Sequence, residues 1–278
     1  MNLQNILSEI ENVDPEIYER ISTRRNSLSH LGNMGKRVAL TALPFALGAM
    51  LTKAYGQTVP PSVIATLNFA LKLEYLESSF YANGLTSSGL IPAADVAAIQ
   101  IISQHESQHV TFLKAAITGA GGTPVASPTI DFTAGGTITN LFSNYDVFLA
   151  YAQTFEDTGV RAYKGQAGSL QGSAYLAPAL QIHAVEARHA SKIRQIRAGR
   201  SGTVAGVKPW ITSNYNGIAS STSTSASYTG EEVSVQAGLN IVGINGYTSI
   251  TATVASEAFD EPLTSADVLA IVKPFGIS

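Results

Sequence analysis

The chain of 278 residues has no cysteine, a single tryptophan and few charged side chains. Without cysteine, disulfides and thiolate metal sites are excluded. Lysine, arginine, aspartate and glutamate make up 13% of the residues, against about 25% in a typical soluble domain. The net charge of −3 gives no electrostatic reason to expect nucleic acid as a partner, and 45% hydrophobic residues exclude a disordered chain. Each charged side chain on an apolar helix face therefore requires an explanation.

Residues 1–56 have the organisation of an export signal. The basic pair Lys36 and Arg37 precedes an uncharged apolar run, Val38 to Leu51, which is too short to cross a bilayer as a helix. Small residues follow, up to Gly56. A basic flank, a short apolar region and small residues are typical of secretory signals. The segment predicts export to the periplasm or the extracellular space, with membrane contact only in transit.

The pair Arg24 and Arg25 resembles a twin-arginine signal, which directs already folded proteins across a membrane. The spacing departs from that pattern, because ten residues separate Arg25 from Lys36. The alternative is a cytoplasmic protein with a buried amino-terminal helix. The sequence leaves open whether residues 1–56 are cleaved or kept as an anchor.

Residues 60–199 are expected to form a mainly α domain. Helix caps, prolines and glycines divide this region into four helical stretches: Ser62–Asn83, Pro92–Gly119, Ser143–Gly165 and Ala177–Gly199. The connection between the second and third stretches is rich in glycine, threonine and proline, and it is long enough to run from one end of a bundle to the other. The pattern predicts an up-down four-helix bundle with one long crossover.

Residues 200–278 are expected to form an extension that packs on the bundle. The Ser/Thr-rich run Ser220–Ser227 predicts a loop, and Trp210 is expected to anchor the extension by packing. Thr264 is a capping residue for a last short helix that ends at Val272. Residues with β propensity predict a small hairpin layer from three segments, Val233–Val235, Asn240–Ile244 and Thr248–Val254.

Ionisable residues interrupt the apolar stripe of each of the four predicted helices near its middle. A lone carboxylate buried in hydrocarbon costs several kcal/mol, and several at the same depth would also repel one another. Divalent cations between them would reverse both penalties. The interrupting residues are Glu74, Glu106, His109, Glu156, Glu186 and His189.

The spacing of these residues predicts a dinuclear metal site. Glu106 and His109 are three residues apart, as are Glu186 and His189, so each pair projects from one helix face. One glutamate from each of two helices and a Glu-x-x-His pair from each of the other two are the ligands of di-iron and di-manganese carboxylate bundles. The expected cofactors are two divalent transition metals, iron or manganese, with zinc as an adventitious occupant.

Other polar residues near these positions have more ordinary interpretations. Glu77 is expected to accept a hydrogen bond near the site or to pair with a cation, with metal ligation as the alternative. His105 and His183 fall off the stripe and are expected at the surface or beside the ligands. Asp157 and Arg161 are spaced as an ordinary ion pair on a helix surface.

The sequence resembles the ferritin-like domain proteins, a family that includes the plant desiccation-related proteins. The resemblance extends from about Pro60 to the end of the chain. It is carried by four segments, Leu67–Tyr81, Gln104–His109, Ala184–His189 and Glu257–Thr264. By this resemblance the six residues named above would be the metal ligands, and Tyr81 would lie near the metals as a catalytic residue.

The resemblance implies redox chemistry on ferrous iron, oxygen or peroxide, either ferroxidase-like or manganese catalase-like. Partners would be metal ions and small oxidants, and a homodimer is possible. The long tail departs from cage-forming ferritins, so a hollow storage shell is not expected. Two alternatives stay open: a non-catalytic metal-sequestering or stress-protective protein, and a bundle that has lost its metal and keeps a protonated carboxylate cluster.

Overall fold

The computed structural model describes residues 59–200, 206–215, 217–218 and 222–278. The predicted export signal, residues 1–56, lies outside the described residues. Across the described part of the chain, no helix is both long enough and apolar enough to cross a membrane.

Four long helices form two antiparallel hairpins, α1 with α2 and α3 with α4. The prediction of a mainly α four-helix bundle is confirmed. The N-cap of the third helix lies one residue later than predicted, because the Asn144 side chain, not that of Ser143, accepts hydrogen bonds from the backbone of the first turn. The bounds are α1 Pro61–Thr86, α2 Ala93–Gly119, α3 Tyr145–Gln166 and α4 Leu176–Ala198.

The connection between α2 and α3 runs the length of the bundle. It leaves α2 beside the start of α1, where the backbone N–H of Val125 donates to Asn68 Oδ1 over 2.8 Å. It delivers the chain to the start of α2, where the Tyr145 hydroxyl donates to Asp95 Oδ2 over 3.0 Å. The helices α2 and α3 therefore run in the same direction, as the predicted crossover requires.

Two apolar clusters fill the bundle, one toward each end. One contains Phe80, Leu149 and Ile193, and the other contains Leu67 and Leu113. Burial of this apolar surface, at roughly 25 cal/mol per Å², is the main force holding the helices together. The predicted ligands lie between the two clusters.

The extension contains short elements rather than a layer of strands. The predicted hairpin is present only as two-residue strands, and the predicted strand Thr248–Val254 is wrong, because Thr251 caps a helical turn there. The expected loop Ser220–Ser227 is also partly wrong, since it contains a helical turn with Ser227 buried. The elements are α5 Thr222–Ser225, β1 Val235–Gln236, β2 Leu239–Asn240, α6 Ala252–Ser256 and α7 Ser265–Val272, the last of them capped by Thr264 as predicted.

The extension packs closely on α3. At Gly165 a side chain would overlap the carbonyl oxygen of Leu263, and the Leu263 N–H donates to the Arg161 carbonyl over 3.1 Å. The ring of Phe275 on the extension packs edge-on against Phe155, with ring centroids 5.1 Å apart. Trp210, which was expected to anchor the extension by packing, is 49% exposed, and its backbone carbonyl accepts a hydrogen bond from Arg194 Nη1 on α4 over 3.3 Å.

A buried ionic network joins α3, α4 and the extension. Asp157 accepts hydrogen bonds from Arg194 Nη2 over 2.5 Å and from the Tyr228 hydroxyl over 2.7 Å. Arg161 pairs with Glu231 on the extension, with Nε and Oε1 2.6 Å apart. The prediction of an exposed pair between Asp157 and Arg161 is therefore wrong, since both side chains are buried and each has its own partner.

Candidate metal centre

The four predicted carboxylates lie at the same depth, in the middle of the bundle. Glu74, Glu106, Glu156 and Glu186 come from α1, α2, α3 and α4 respectively, and each has no solvent exposure. The histidines of the two Glu-x-x-His pairs are buried beside them. The helical spacing of three residues places each histidine on the same face as the glutamate of its pair.

The structure brings these six residues together in two overlapping groups. In each group, one ligand atom per residue lies within 4.8 Å of the others. Glu106 and Glu186 belong to both groups, whereas Glu74 and Glu156 each belong to one. The first group is Glu74, Glu106, His109 and Glu186, and the second is Glu106, Glu156, Glu186 and His189.

Each histidine nitrogen faces three carboxylate oxygens. His109 Nδ1 lies 3.1 to 3.3 Å from oxygens of Glu74, Glu106 and Glu186. His189 Nδ1 lies 2.8 to 3.3 Å from oxygens of Glu106, Glu156 and Glu186. A ring nitrogen carries at most one proton, so it cannot donate a hydrogen bond to three oxygens at once.

Four carboxylate oxygens of this cluster consequently have no hydrogen-bond partner among the described residues: Glu74 Oε2, Glu106 Oε1, Glu156 Oε2 and Glu186 Oε1. Leaving such groups unpaired costs more than a kcal/mol each. Ligand atoms about 2.1 Å from one ion and at right angles to each other lie about 3 Å apart. The observed separations match that value, so the residues present fit a metal ion in each group.

Without metal, burial and crowding shift the pKa values of the cluster. Burial, repulsion from Glu186 and repulsion from Glu106 raise the pKa of Glu74, and burial raises the pKa of Glu156 to about 8 against the opposing effect of His189. Burial alone would lower the pKa of His109, but the surrounding carboxylates outweigh it and raise the pKa to about 12. Without metal, protons therefore neutralise part of the negative charge of the carboxylates at neutral pH. Bound cations would neutralise that charge instead.

Two tyrosines complete an approximate two-fold arrangement. Tyr81 on α1 donates to Glu156 Oε1 on α3 over 2.5 Å, and Tyr163 on α3 donates to Glu74 Oε1 on α1. Both hydroxyls are buried, and each holds a carboxylate that belongs to only one group. Tyr163 was not predicted as a site residue. Its position, seven residues after Glu156 as Tyr81 follows Glu74, is the sequence signal that identifies it.

Glu77 breaks this symmetry. It follows Glu74 by three residues on α1, whereas the matching position after Glu156 on α3 is Gly159. Glu77 is buried, and burial followed by repulsion from Glu186 raises the pKa of its carboxyl group well above the usual range. It belongs to neither of the two groups of converging ligand atoms.

The two remaining histidines near the pairs differ in position. His105 is half-buried on α2, and its Nδ1 lies 2.9 Å from Nε2 of His189, on the side of that ring away from the carboxylates. It therefore fixes the ring orientation of His189, as expected for a residue beside the ligands. His183 instead lies with its Nδ1 2.9 Å from the Val160 carbonyl oxygen and contributes to the packing of α4 on α3.

The fold and the cluster together fit a di-metal carboxylate protein. A family profile described as ferritin-like domain matches residues 62–199, which include all four helices of the bundle. Residues 62–199 therefore form a ferritin-like domain, as the resemblance implies. Neither a curated protein nor a solved structure gives a significant match to it.

Proposed function

We propose that the protein binds two ions of iron or manganese and carries out redox chemistry on ferrous iron, oxygen or peroxide. The observation that supports this proposal is the convergence of four buried carboxylates and two imidazoles, with four carboxylate oxygens lacking hydrogen bonds. Two divalent ions would balance the formal charge of the four carboxylates. Oxygen and imidazole nitrogen are ligands that both iron and manganese accept.

Either metal, when bound, supplies one-electron oxidation and reduction at the centre of the bundle. Glu74 and His109 would hold one ion, and Glu156 and His189 the other, with Glu106 and Glu186 shared between them. The tyrosine hydroxyls keep Glu74 and Glu156 oriented. The apolar clusters on both sides limit the access of water, which strengthens the electrostatic interactions inside. We further propose that Tyr81 takes part in the reaction.

The first experiment is metal analysis of protein purified from its native compartment, followed by activity assays. About two transition-metal ions per chain are expected, as in other bundles with this ligand set. Oxygen consumption on addition of ferrous iron would indicate a ferroxidase-like reaction. Gas release from peroxide by the manganese-loaded protein would indicate a catalase-like reaction.

Glu106→Gln is the variant that tests the site, because Glu106 belongs to both groups. It should lose metal, whereas the same change at exposed Glu232 should retain it. Metal binding without turnover would favour the second candidate, a metal-sequestering or stress-protective protein. A parent that binds no metal, and that is as stable as its Glu106→Ala variant, would contradict both metal-based functions.

We also propose that residues 1–56 direct export to the periplasm or the extracellular space. The proposal is supported by the basic flank and the short apolar run of the sequence. Fractionation of cells producing the full chain, with mass spectrometry of its amino terminus, tests it. Replacement of Arg24 and Arg25 by lysine should retain the protein in the cytoplasm if the twin-arginine route is used. If that variant is exported as efficiently as the parent, the twin-arginine route is contradicted.

A further inference from the structure

An apolar cavity opens at one end of the bundle, directly beside the first ligand group. Three of its lining residues lie one helical turn from predicted ligands: Ala70 from Glu74, Leu113 from His109 and Ile182 from Glu186. Tyr163 also lines the cavity, and its hydroxyl donates to Glu74. The inner wall of the cavity is therefore continuous with the candidate metal centre.

The approximate two-fold symmetry explains why this end is open. The symmetry relates Glu74 on α1 to Glu156 on α3. When the two helices are aligned on these residues, each of three lining residues corresponds to a phenylalanine at the opposite end. The pairs are Thr66 with Phe148, Leu73 with Phe155 and Ala162 with Phe80. Those three phenylalanines pack together, with the ring of Phe80 stacked 4.6 Å from Phe148 and edge-on 5.2 Å from Phe155. Smaller side chains at the Tyr163 end leave the corresponding volume free.

The size and chemistry of the cavity limit its occupant. The space available to the centre of a water-sized molecule is about 20 Å³, enough for one small molecule and too little for an alkyl chain. The Thr66 hydroxyl already donates to the Ser62 carbonyl over 3.0 Å, so it offers no free proton to a water molecule. Enclosed apolar cavities stay dry and take up non-polar atoms, and the apolar walls of this cavity favour a non-polar occupant for the same reason. Half-buried Phe112 and Gln166 mark the outer side.

We propose that this cavity binds dioxygen and is the route by which oxygen reaches the metal centre from the Tyr163 end. The role as a route rests on the proposed redox function, whereas the binding of a small apolar molecule does not. Oxygen is non-polar and of the right size, and ions or peroxide would gain nothing from these walls. Ala162 and Leu73 set the free volume.

Crystals of the metal-free protein pressurised with xenon, a non-polar probe of similar size, test the binding step. A xenon peak is expected beside Ala162, Leu113 and Tyr163. Ala162→Phe introduces the phenylalanine found at the corresponding position, Phe80. Its ring should fill the cavity and abolish the xenon peak. Leu73→Phe introduces the residue found at the corresponding position, Phe155, and is a smaller change. It replaces Ala162→Phe in the experiment if that variant does not fold. Ala97→Phe, at an exposed site on α2, is the matched control and should keep the parental peak.

Absence of xenon from the parent, or a peak at the Phe80 end instead, would overturn the proposal whatever the metal content. The route is tested with metal-loaded protein by the rate of oxygen consumption as oxygen concentration is varied. Leu73→Phe should lower the apparent second-order rate constant for oxygen by about tenfold or more at unchanged metal content. A parental rate constant in that variant would overturn the route. Failure of the parent to bind metal would instead count against the proposed function.

Discussion

The carboxylate of Glu77 occupies space that Gly159 leaves open across the helix interface. Its Oε1 lies 3.1 Å from the point where a Cβ on Gly159 would stand. A larger residue at position 159 would therefore force the Glu77 carboxylate to shift. Because Gly159 on α3 has no side chain, Glu77 on α1 has room to lie beside the four ligand carboxylates. This fifth carboxylate is present on only one side of the otherwise symmetric centre.

Glu77→Gln is expected to flatten the pH dependence of stability of the metal-free protein. Because the folded-state pKa of Glu77 is raised, the folded chain keeps a proton that the unfolded chain loses above about pH 4.5. The free energy of unfolding of the parent should therefore fall as pH rises above that value. Gln removes the contribution of Glu77, which is at most about 1.4 kcal/mol per pH unit. Urea denaturation between pH 5 and 8 with a chelator measures the difference. Glu232→Gln should keep the parental slope.

Replacing a carboxylate of one group should have a smaller effect on metal content than replacing a shared one. Glu74→Gln removes a ligand only from the group of His109, so about one ion per chain should remain. Glu106→Gln removes a ligand from both groups and should leave less. Equilibrium dialysis against ferrous or manganous ions, followed by metal analysis, measures both. Equal losses in the two variants would contradict the assignment of shared and unshared ligands.

The two tyrosines should affect different ions. Tyr81→Phe frees Glu156 and should weaken the ion on the His189 side, whereas Tyr163→Phe frees Glu74 and should weaken the ion on the His109 side. Loss of such a supporting hydrogen bond typically lowers metal affinity by about 10- to 100-fold. Metal titration of each variant measures the effect. A reduced reaction rate in fully loaded Tyr81→Phe would support a catalytic role, and a parental rate would contradict it.

Asp157→Asn should destabilise the protein far more than Asp146→Asn. Asp157 is buried and pairs with Arg194, and breaking a buried pair costs about 3 to 5 kcal/mol. Asp146 pairs with Arg200 at the surface, where such a pair contributes at most about 1 kcal/mol. Chemical denaturation gives the free energies of unfolding. Similar values for the two variants would contradict a stabilising role for the buried pair of Asp157 and Arg194.

The sequence predicted the bundle and its six converging residues because helical periodicity is local. An apolar stripe interrupted by Glu106 and His109 predicts a helix with both side chains on its buried face, and this prediction does not depend on the rest of the fold. The extension follows no such period, and its short elements depend on contacts with α3. Its residues with β propensity therefore predicted a hairpin layer, whereas the structure has only two short strands and a helical turn.

The buried ionic network was missed for a related reason. Asp157 and Arg161 have the spacing of a surface pair, and only the extension, which supplies Tyr228 and Glu231, makes their positions interior. The sequence could not indicate which face of α3 the extension covers. Tyr163, in contrast, could have been predicted by comparing α3 with α1 in register.

Each ligand group draws on both helix hairpins. The first hairpin supplies Glu74 and His109 to the group that Glu186 joins, and the second supplies Glu156 and His189 to the group that Glu106 joins. Bound ions would therefore act as cross-links between the hairpins, a role that disulfides have in chains with cysteine. Ions that bind only the folded state also stabilise it, by about 3 kcal/mol at a hundredfold excess over Kd. Metal supply would then determine how long the folded chain survives unfolding and proteolysis.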